Sequence, residues 1–357
     1  MFLCLQVLKL HDNNLQGSIP PTIGQLHALT LFYATSNALT HTIPAELSQL
    51  SQMAKLYLYK NHFLGSLPEH LFDNMKNLNT LLLHENSLTG SIPLGISKLT
   101  KMKIFQINDN QINGTLSSTW EQLAGKLVSF AAKNNMISGT IPTSFGSLTM
   151  LTKFDVGTNQ LTHELPSFLS KLTLLKQLNL ATNSFNGTIP AGFSRLTKLT
   201  SLYVKYNSLT GSMPDELFEL VKLKELDVQD NSLTGTIPIY IGALTKLLEL
   251  DMVNNALTGT VPIEVRYLTR LTFLSMGHNR LESTLPVEVS ECVSLKTLKI
   301  AANTAMHGTI PEEYGRLTDL EEIQLFQTQF TGTIPLSFGN LTKLTLLLLY
   351  GNQLHGR

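Results

Sequence analysis

Long apolar runs, clustered cysteines and an excess of either charge are all missing from this sequence. The longest apolar run near the C-terminus, Leu346 to Leu349, is far short of the roughly 20 residues a helix needs to cross a bilayer. No membrane span is therefore expected. Lysine plus arginine and aspartate plus glutamate each number 26, for a formal net charge of zero. With no basic run either, the electrostatic basis for binding nucleic acid or an anionic membrane is absent. The two cysteines, Cys4 and Cys292, cannot make a disulfide framework and stand about a dozen repeats apart, so both are expected as free thiols. Cys292 takes a slot that holds leucine in most repeats, which fits a small buried apolar residue. The opening MFLCLQVLKL has no basic n-region and no small-residue cleavage site, so it does not read as a signal peptide. The ten histidines show no HxxxH or other metal spacing, and no metal or cofactor is expected.

What the sequence does hold is one unit repeated. With Asn231 as origin, Leu223, Leu226 and Val228 precede it and Leu233, Gly235, Ile237 and Pro238 follow, giving the template LxxLxLxxNxLxGxIP. The origin recurs fifteen times from Asn13 to Asn352 at spacings of 24 or 25 residues, with Thr328 in place of Asn once. His41, His163 and Ser283 replace the Gly, and Ser117 replaces the Pro. Self-similarity of this kind overrides any estimate of domain number from length, so residues 1–357 are expected to form a single array of about fifteen repeats.

Each feature of the template has a physical task. The xLxLx stretch alternates with period two, so it makes a short strand with its leucines on one side, and successive copies stack in parallel. The Asn amide can satisfy backbone groups in the turn that no neighbouring strand reaches, which predicts an Asn ladder. Gly permits positive φ, and Ile-Pro ends the extended segment. In PIYIGALTKL, Ile241 and Leu244 are three apart, as a helical or 3₁₀ turn requires to aim both inward. Trp120 and Phe145 fill the Ile241 slot elsewhere, which makes them core residues. No unit can cover its own two flat sides, so stability has to come from stacking.

Read at Asn86 (LNTLLLHENSLTGSIP) or Asn231, the chain resembles the plant-type leucine-rich repeat over essentially its whole length. That family includes the ectodomains of receptor-like kinases and receptor-like proteins, and the polygalacturonase inhibitors. The resemblance implies an α/β leucine-rich repeat solenoid, curved and superhelical, with a parallel β-sheet on its concave face and short 3₁₀ or helical turns on its convex face. It also implies function by binding. The cysteine-containing cap of such ectodomains is missing, and the sequence stops at GNQLHGR inside its last unit, so truncation at both ends is expected.

On such a sheet the residues 6, 4, 2 and 1 before the Asn point outward, about 4.8 Å from their equivalents in adjacent repeats. Early repeats place His11, Tyr33, Tyr57, Tyr59, Leu82 and His84 there; later ones place Tyr203, Lys205, Tyr206, Glu225, Asp227, Asp230, Glu249 and Asp251. Tyrosine offers large contact area with little rotamer entropy to lose, so Tyr33, Tyr57, Tyr59 and His84 form one candidate binding surface, against the plainer reading that strands favour Tyr. Glu225, Asp227, Glu249 and Asp251 form a two-by-two lattice of like charge. An enzyme would need opposed environments that separate two pKa values and a cleft that excludes water. Strand side chains are also poorly spaced to surround calcium. The expectation is a non-enzymatic acidic surface beside Tyr203 and Tyr206 for a basic or hydroxylated ligand, with solvated charges offset by Lys205, Lys224 and Lys246 as the alternative.

Asn113, Asn186 and Asn340 begin N-x-Ser/Thr sequons and are candidate glycosylation sites. Together these readings predict an extracellular recognition module of a receptor-like protein that binds a protein or peptide, with a co-receptor as a further partner. A secreted inhibitor of a wall-degrading hydrolase and a cytoplasmic scaffold are the alternatives.

Overall fold

A computed structural model describes residues 4–356. Its backbone groups into two units, Met1–Ser184 and Phe185–Arg357. In the first, the three-residue strands Val7–Lys9, Leu31–Tyr33, Lys55–Tyr57, Thr80–Leu82, Ile104–Gln106, Ser129–Ala131, Lys153–Asp155 and Gln177–Asn179 pair in that order, all parallel. In the second, Ser201–Tyr203, Glu225–Asp227, Glu249–Asp251, Phe273–Ser275, Thr297–Lys299, Glu322–Gln324 and Leu346–Leu348 do the same. The register advances by one whole repeat, so Leu226 lies opposite Leu202 and Leu250. Equivalent side chains therefore stack on equivalent side chains, and the leucine-rich repeat solenoid follows.

The middle residue of each strand between the first and the last turns into the core. Leu56, Leu81, Phe105, Leu226 and Leu250 are all buried, while strand neighbours such as Tyr57, Glu225 and Asp227 are at least partly exposed. After the turn, Pro238 sits at φ −65° and ψ 141° and leads into the 3₁₀ segment Ile239–Ala243. There Ile241 and the following Leu244 are wholly buried, as their three-residue spacing predicts. Trp120 and Phe145 occupy the same inward slot in the first unit and are core residues, in ring contact with Phe130 at 4.9 and 5.5 Å. Cys292 is a buried free thiol whose Sγ–H meets the Val265 carbonyl, and Cys4 is an exposed one.

The Asn column behaves as a ladder. Asn61 donates its side-chain amide to the carbonyls of Ala34, Leu58 and Tyr59 and accepts the N–H of Leu39 at 3.0 Å. Thr328, lacking the amide, keeps one bond of this set, to Leu325 at 3.3 Å. The residue before each Asn holds a left-handed conformation, as at Asp230 (φ 50°), a feature the template gives no sign of. The Gly slot is left-handed too: Gly235 has φ 75°, and His163, standing in for glycine, has φ 73°. Among the described residues no helix is long and apolar enough to cross a membrane.

Candidate functional site

The outward side chains of the first unit make an aromatic strip. Strand register sets Tyr33 opposite Tyr57. His11 lies flat on Tyr33, with ring centroids 4.0 Å apart and planes at 10°. Tyr33 meets Tyr57 edge-on at 5.3 Å, and Tyr59 stacks on His84 at 4.3 Å. Tyr33, Tyr57, Tyr59 and His84 are thus brought together, with His11 as a further member. Offset and edge-on geometries of this kind favour contact beyond area alone and fix the rings before any ligand arrives. The Nδ1 atoms of His11 and His84 are buried without a hydrogen-bond partner. Burial holds the His84 imidazole below its ordinary pKa, despite Glu85 at 3.9 Å, so the ring is neutral at pH 7. Burial also pushes the Tyr57 phenol up, and the Tyr59 phenol is raised chiefly by its hydrogen bond with Tyr33.

In the second unit, Tyr203 donates its hydroxyl to the Glu225 carboxylate. The Lys205 ammonium is 2.7 Å from Asp227 Oδ2. Glu225 lies opposite Glu249, and Asp227 opposite Asp251. Together with Phe273 these residues line a recess of about 200 Å³. Burial raises the carboxyl pKa values of Asp227, Glu249 and Asp251, and neighbouring carboxylates push all three the same way. Of the three lysines the sequence offers as counter-charges, Lys205 pairs with the lattice; Lys224 and Lys246 form no ion pair among the described residues. Tyr206 stands apart, 48% exposed and left-handed (φ 51°), with the Lys205 ammonium 5.9 Å from its ring centre.

Sequence reasoning missed what the aspartates do locally. Asp227 Oδ1 accepts the N–H of Gln229 at 3.3 Å and Asp251 Oδ1 that of Val253 at 3.1 Å. Asp155 and Asn179, at the same repeat position, cap Gly157 and Ala181 identically. A short oxygen-bearing side chain there satisfies the amide two residues on, where the strand ends. Also unforeseen is a pair in the last repeats: Phe326 and Tyr350 stack at 4.7 Å, with His278 edge-on at 6.3 Å. The same column rule finds them when applied to every repeat. Among the described residues no group of three or more His, Cys, Asp or Glu is placed to hold a metal. Asn113, Asn186 and Asn340 are all exposed.

Residues 174–233 and 221–281 match one leucine rich repeat family model, and residues 4–26 and 77–99 match a second. A 64-residue stretch, 18% of this chain and 7% of the relative, is 39% identical to a probable LRR receptor-like serine/threonine-protein kinase of Arabidopsis thaliana. The Arabidopsis receptor kinase HAESA, solved with the peptide hormone IDA and the co-receptor SERK1, is similar at TM-score 0.91 and 30% identity, over 99% of this chain and 58% of that one. An LRR protein of Leptospira interrogans is similar at TM-score 0.77 and 31% identity, over 96% of this chain and 84% of that one. The chain spans less than two thirds of either of these two plant proteins. The template, the stacked strands, the Asn ladder and these likenesses agree: the chain belongs to the leucine-rich repeat family, in its plant-type form.

Proposed function

We propose that this chain is the non-enzymatic recognition part of a receptor-like protein, and that it takes a peptide or protein ligand on the outward face of its sheet. The observation that carries this is the aromatic strip from His11 to His84. Its rings are held by mutual stacking on the sheet, outside the mid-strand positions that the leucines fill, so much of their cost in ordering is met before a ligand binds. Support comes from HAESA, which was solved with a peptide hormone and a co-receptor; a co-receptor is the second partner proposed here. The recess around Asp227 and Asp251 extends the reading to a ligand with a basic or hydroxylated group. An extracellular setting is part of the proposal, supported by the exposure of all three sequon asparagines.

The test is capture of synthetic peptides by the immobilised chain, compared with a variant carrying Tyr33→Ala, Tyr57→Ala and Tyr59→Ala. Saturable capture that the variant loses, with the variant still folded by circular dichroism, is the expected outcome. Equal capture by both chains would remove the strip from the site. A hydrolase inhibition assay on the same preparation separates a receptor fragment from a secreted inhibitor.

A further inference from the structure

On the side of the second unit that carries its 3₁₀ segments, apolar side chains stand in solvent where the repeat makes no use of them. The third and sixth positions after each proline go inward, as Ile241 and Leu244 do. The first position has no inward task, yet it holds Ile239, Ile263 and Val287 in three consecutive repeats, each more than two-fifths exposed. Tyr240 and Tyr267 extend this ridge and are about half exposed. Tyr267 is seated, because Gly242 one repeat earlier has no side chain: a Cβ there would lie 3.0 Å from the Tyr267 ring. A contiguous ridge of this kind, rimmed by charge, marks an interaction surface.

The two ends of the ridge differ in charge: one is acidic, and the other presents arginines beside glutamates. At one end Asp215, Glu216 and Glu219 border a cleft of about 400 Å³ with Val221 and Tyr240. None of these carboxylates has a cation within ion-pair distance among the described residues. At the other end Arg266 and Arg316 border a cleft of about 450 Å³ with Tyr267 and Val287. The Arg266 guanidinium lies 5.2 Å from the Tyr267 ring centre, and its Nε is buried with no acceptor. Glu288 and Glu291 share this cleft, and Glu291 is turned to Arg316 at 3.8 Å. Among the described residues no carboxylate lies within ion-pair distance of Arg266, so its guanidinium can take one from a partner.

We infer that this ridge docks a polypeptide segment with apolar side chains along the line from Tyr240 to Val287. The segment's basic end meets Asp215, Glu216 and Glu219, and its acidic end brings a carboxylate to Arg266. Complementary charge at both ends sets the direction in which the segment lies. The surface lies away from the sheet and does not depend on what the sheet binds.

The test uses short synthetic peptides with a lysine block at one end, a glutamate block at the other and leucine or phenylalanine between, read by fluorescence anisotropy against the whole chain. Isomers in which the same charges alternate serve as the comparison. The block peptides are expected to bind about tenfold more tightly than the alternating isomers, and Tyr240→Ser with Tyr267→Ser to remove at least that margin. Asp215→Lys, Glu216→Lys and Glu219→Lys combined with Arg266→Glu should transfer the preference to peptides of reversed polarity. All of these changes are at exposed or half-exposed side chains, so unchanged thermal unfolding checks that the variants are folded. Equal binding of block and alternating peptides, or binding indifferent to the two tyrosine changes, would overturn the inference. Self-association in analytical ultracentrifugation that the tyrosine changes abolish would assign the ridge to a second copy, and would overturn it too.

Discussion

The side-chain oxygen of Asn231 accepts the backbone N–H of Leu209, 22 residues earlier, at 3.0 Å. Its amide nitrogen donates to the carbonyls of Val204, Val228 and Gln229, each at 3.1 Å. One side chain therefore closes the turn of its own repeat and fixes the previous repeat against it. Leucines bring the coils together without direction; the Asn supplies the direction.

Asn303 makes the same set of bonds and is wholly buried. Asn303→Ala strips the Leu281 amide and three carbonyls of their partner, so it should cost about 3 kcal/mol, at the upper end for a buried polar deletion. Urea denaturation measures this. A loss below about 0.5 kcal/mol would mean that water replaces the side chain, and the ladder would then carry little of the stability.

His163 stands where the template has glycine, at φ 73°, and its Nδ1 is 2.9 Å from the Thr162 hydroxyl. A left-handed non-glycine residue is strained by about 1 kcal/mol or more, of which that one exposed bond returns a part. His163→Gly is therefore expected to raise stability by about 0.5 kcal/mol. The opposite change, Gly235→Ala, meets φ 75° and a Ser212 Cβ at 3.1 Å, and should cost about 1–2 kcal/mol. If both substitutions prove neutral in denaturant titrations, the slot is conformationally soft.

Asp251 gives a pH signature. Burial lifts its folded pKa above the ordinary 3.8, so the ionised form is penalised in the folded chain. That penalty is at full strength above the folded pKa and vanishes as pH falls through it towards 3.8. Asp251→Asn should consequently raise the melting temperature at pH 7 and leave it unchanged once the carboxyl is protonated. The cap on Val253 survives, because Asn179 makes the equivalent bond to Ala181 at 3.1 Å. A variant less stable than the parent at pH 7 would show that the charge itself is used.

How much of this was legible in the sequence depends on how many repeats vote. Leu226, Asn231, Gly235 and Ile241 belong to columns read many times over, so strand, ladder and 3₁₀ turn all follow from them. The left-handed residue before the Asn is invisible, because Lys60, Glu85, Tyr206 and Ala302 share no chemistry and the conformation is imposed by the turn. The aspartates were legible as outward charges and not as caps, since a bond to an amide two residues on depends on where the strand stops. Stacking of His11 on Tyr33 and of Phe326 on Tyr350 depends on rotamers, which a column of letters does not specify.

The exposed sequons carry their own prediction. Produced through a eukaryotic secretory pathway, the chain should gain mass that endoglycosidase removes, and Asn113→Gln, Asn186→Gln and Asn340→Gln together should abolish the gain. A chain of unmodified mass, correctly secreted, would take away the support these sites lend to an extracellular role.

Hydrogen–deuterium exchange on the chain with and without a peptide that it captures tests the central claim most directly. Protection is predicted at Leu31–Tyr33, Lys55–Tyr57 and Thr80–Leu82 and at the His11, Tyr59 and His84 positions beside them, with Ser201–Tyr203, Glu225–Asp227 and Glu249–Asp251 following if the acidic recess takes part. Protection confined to the 3₁₀ segments, with the sheet strands exchanging as in the free chain, would contradict recognition on the sheet face.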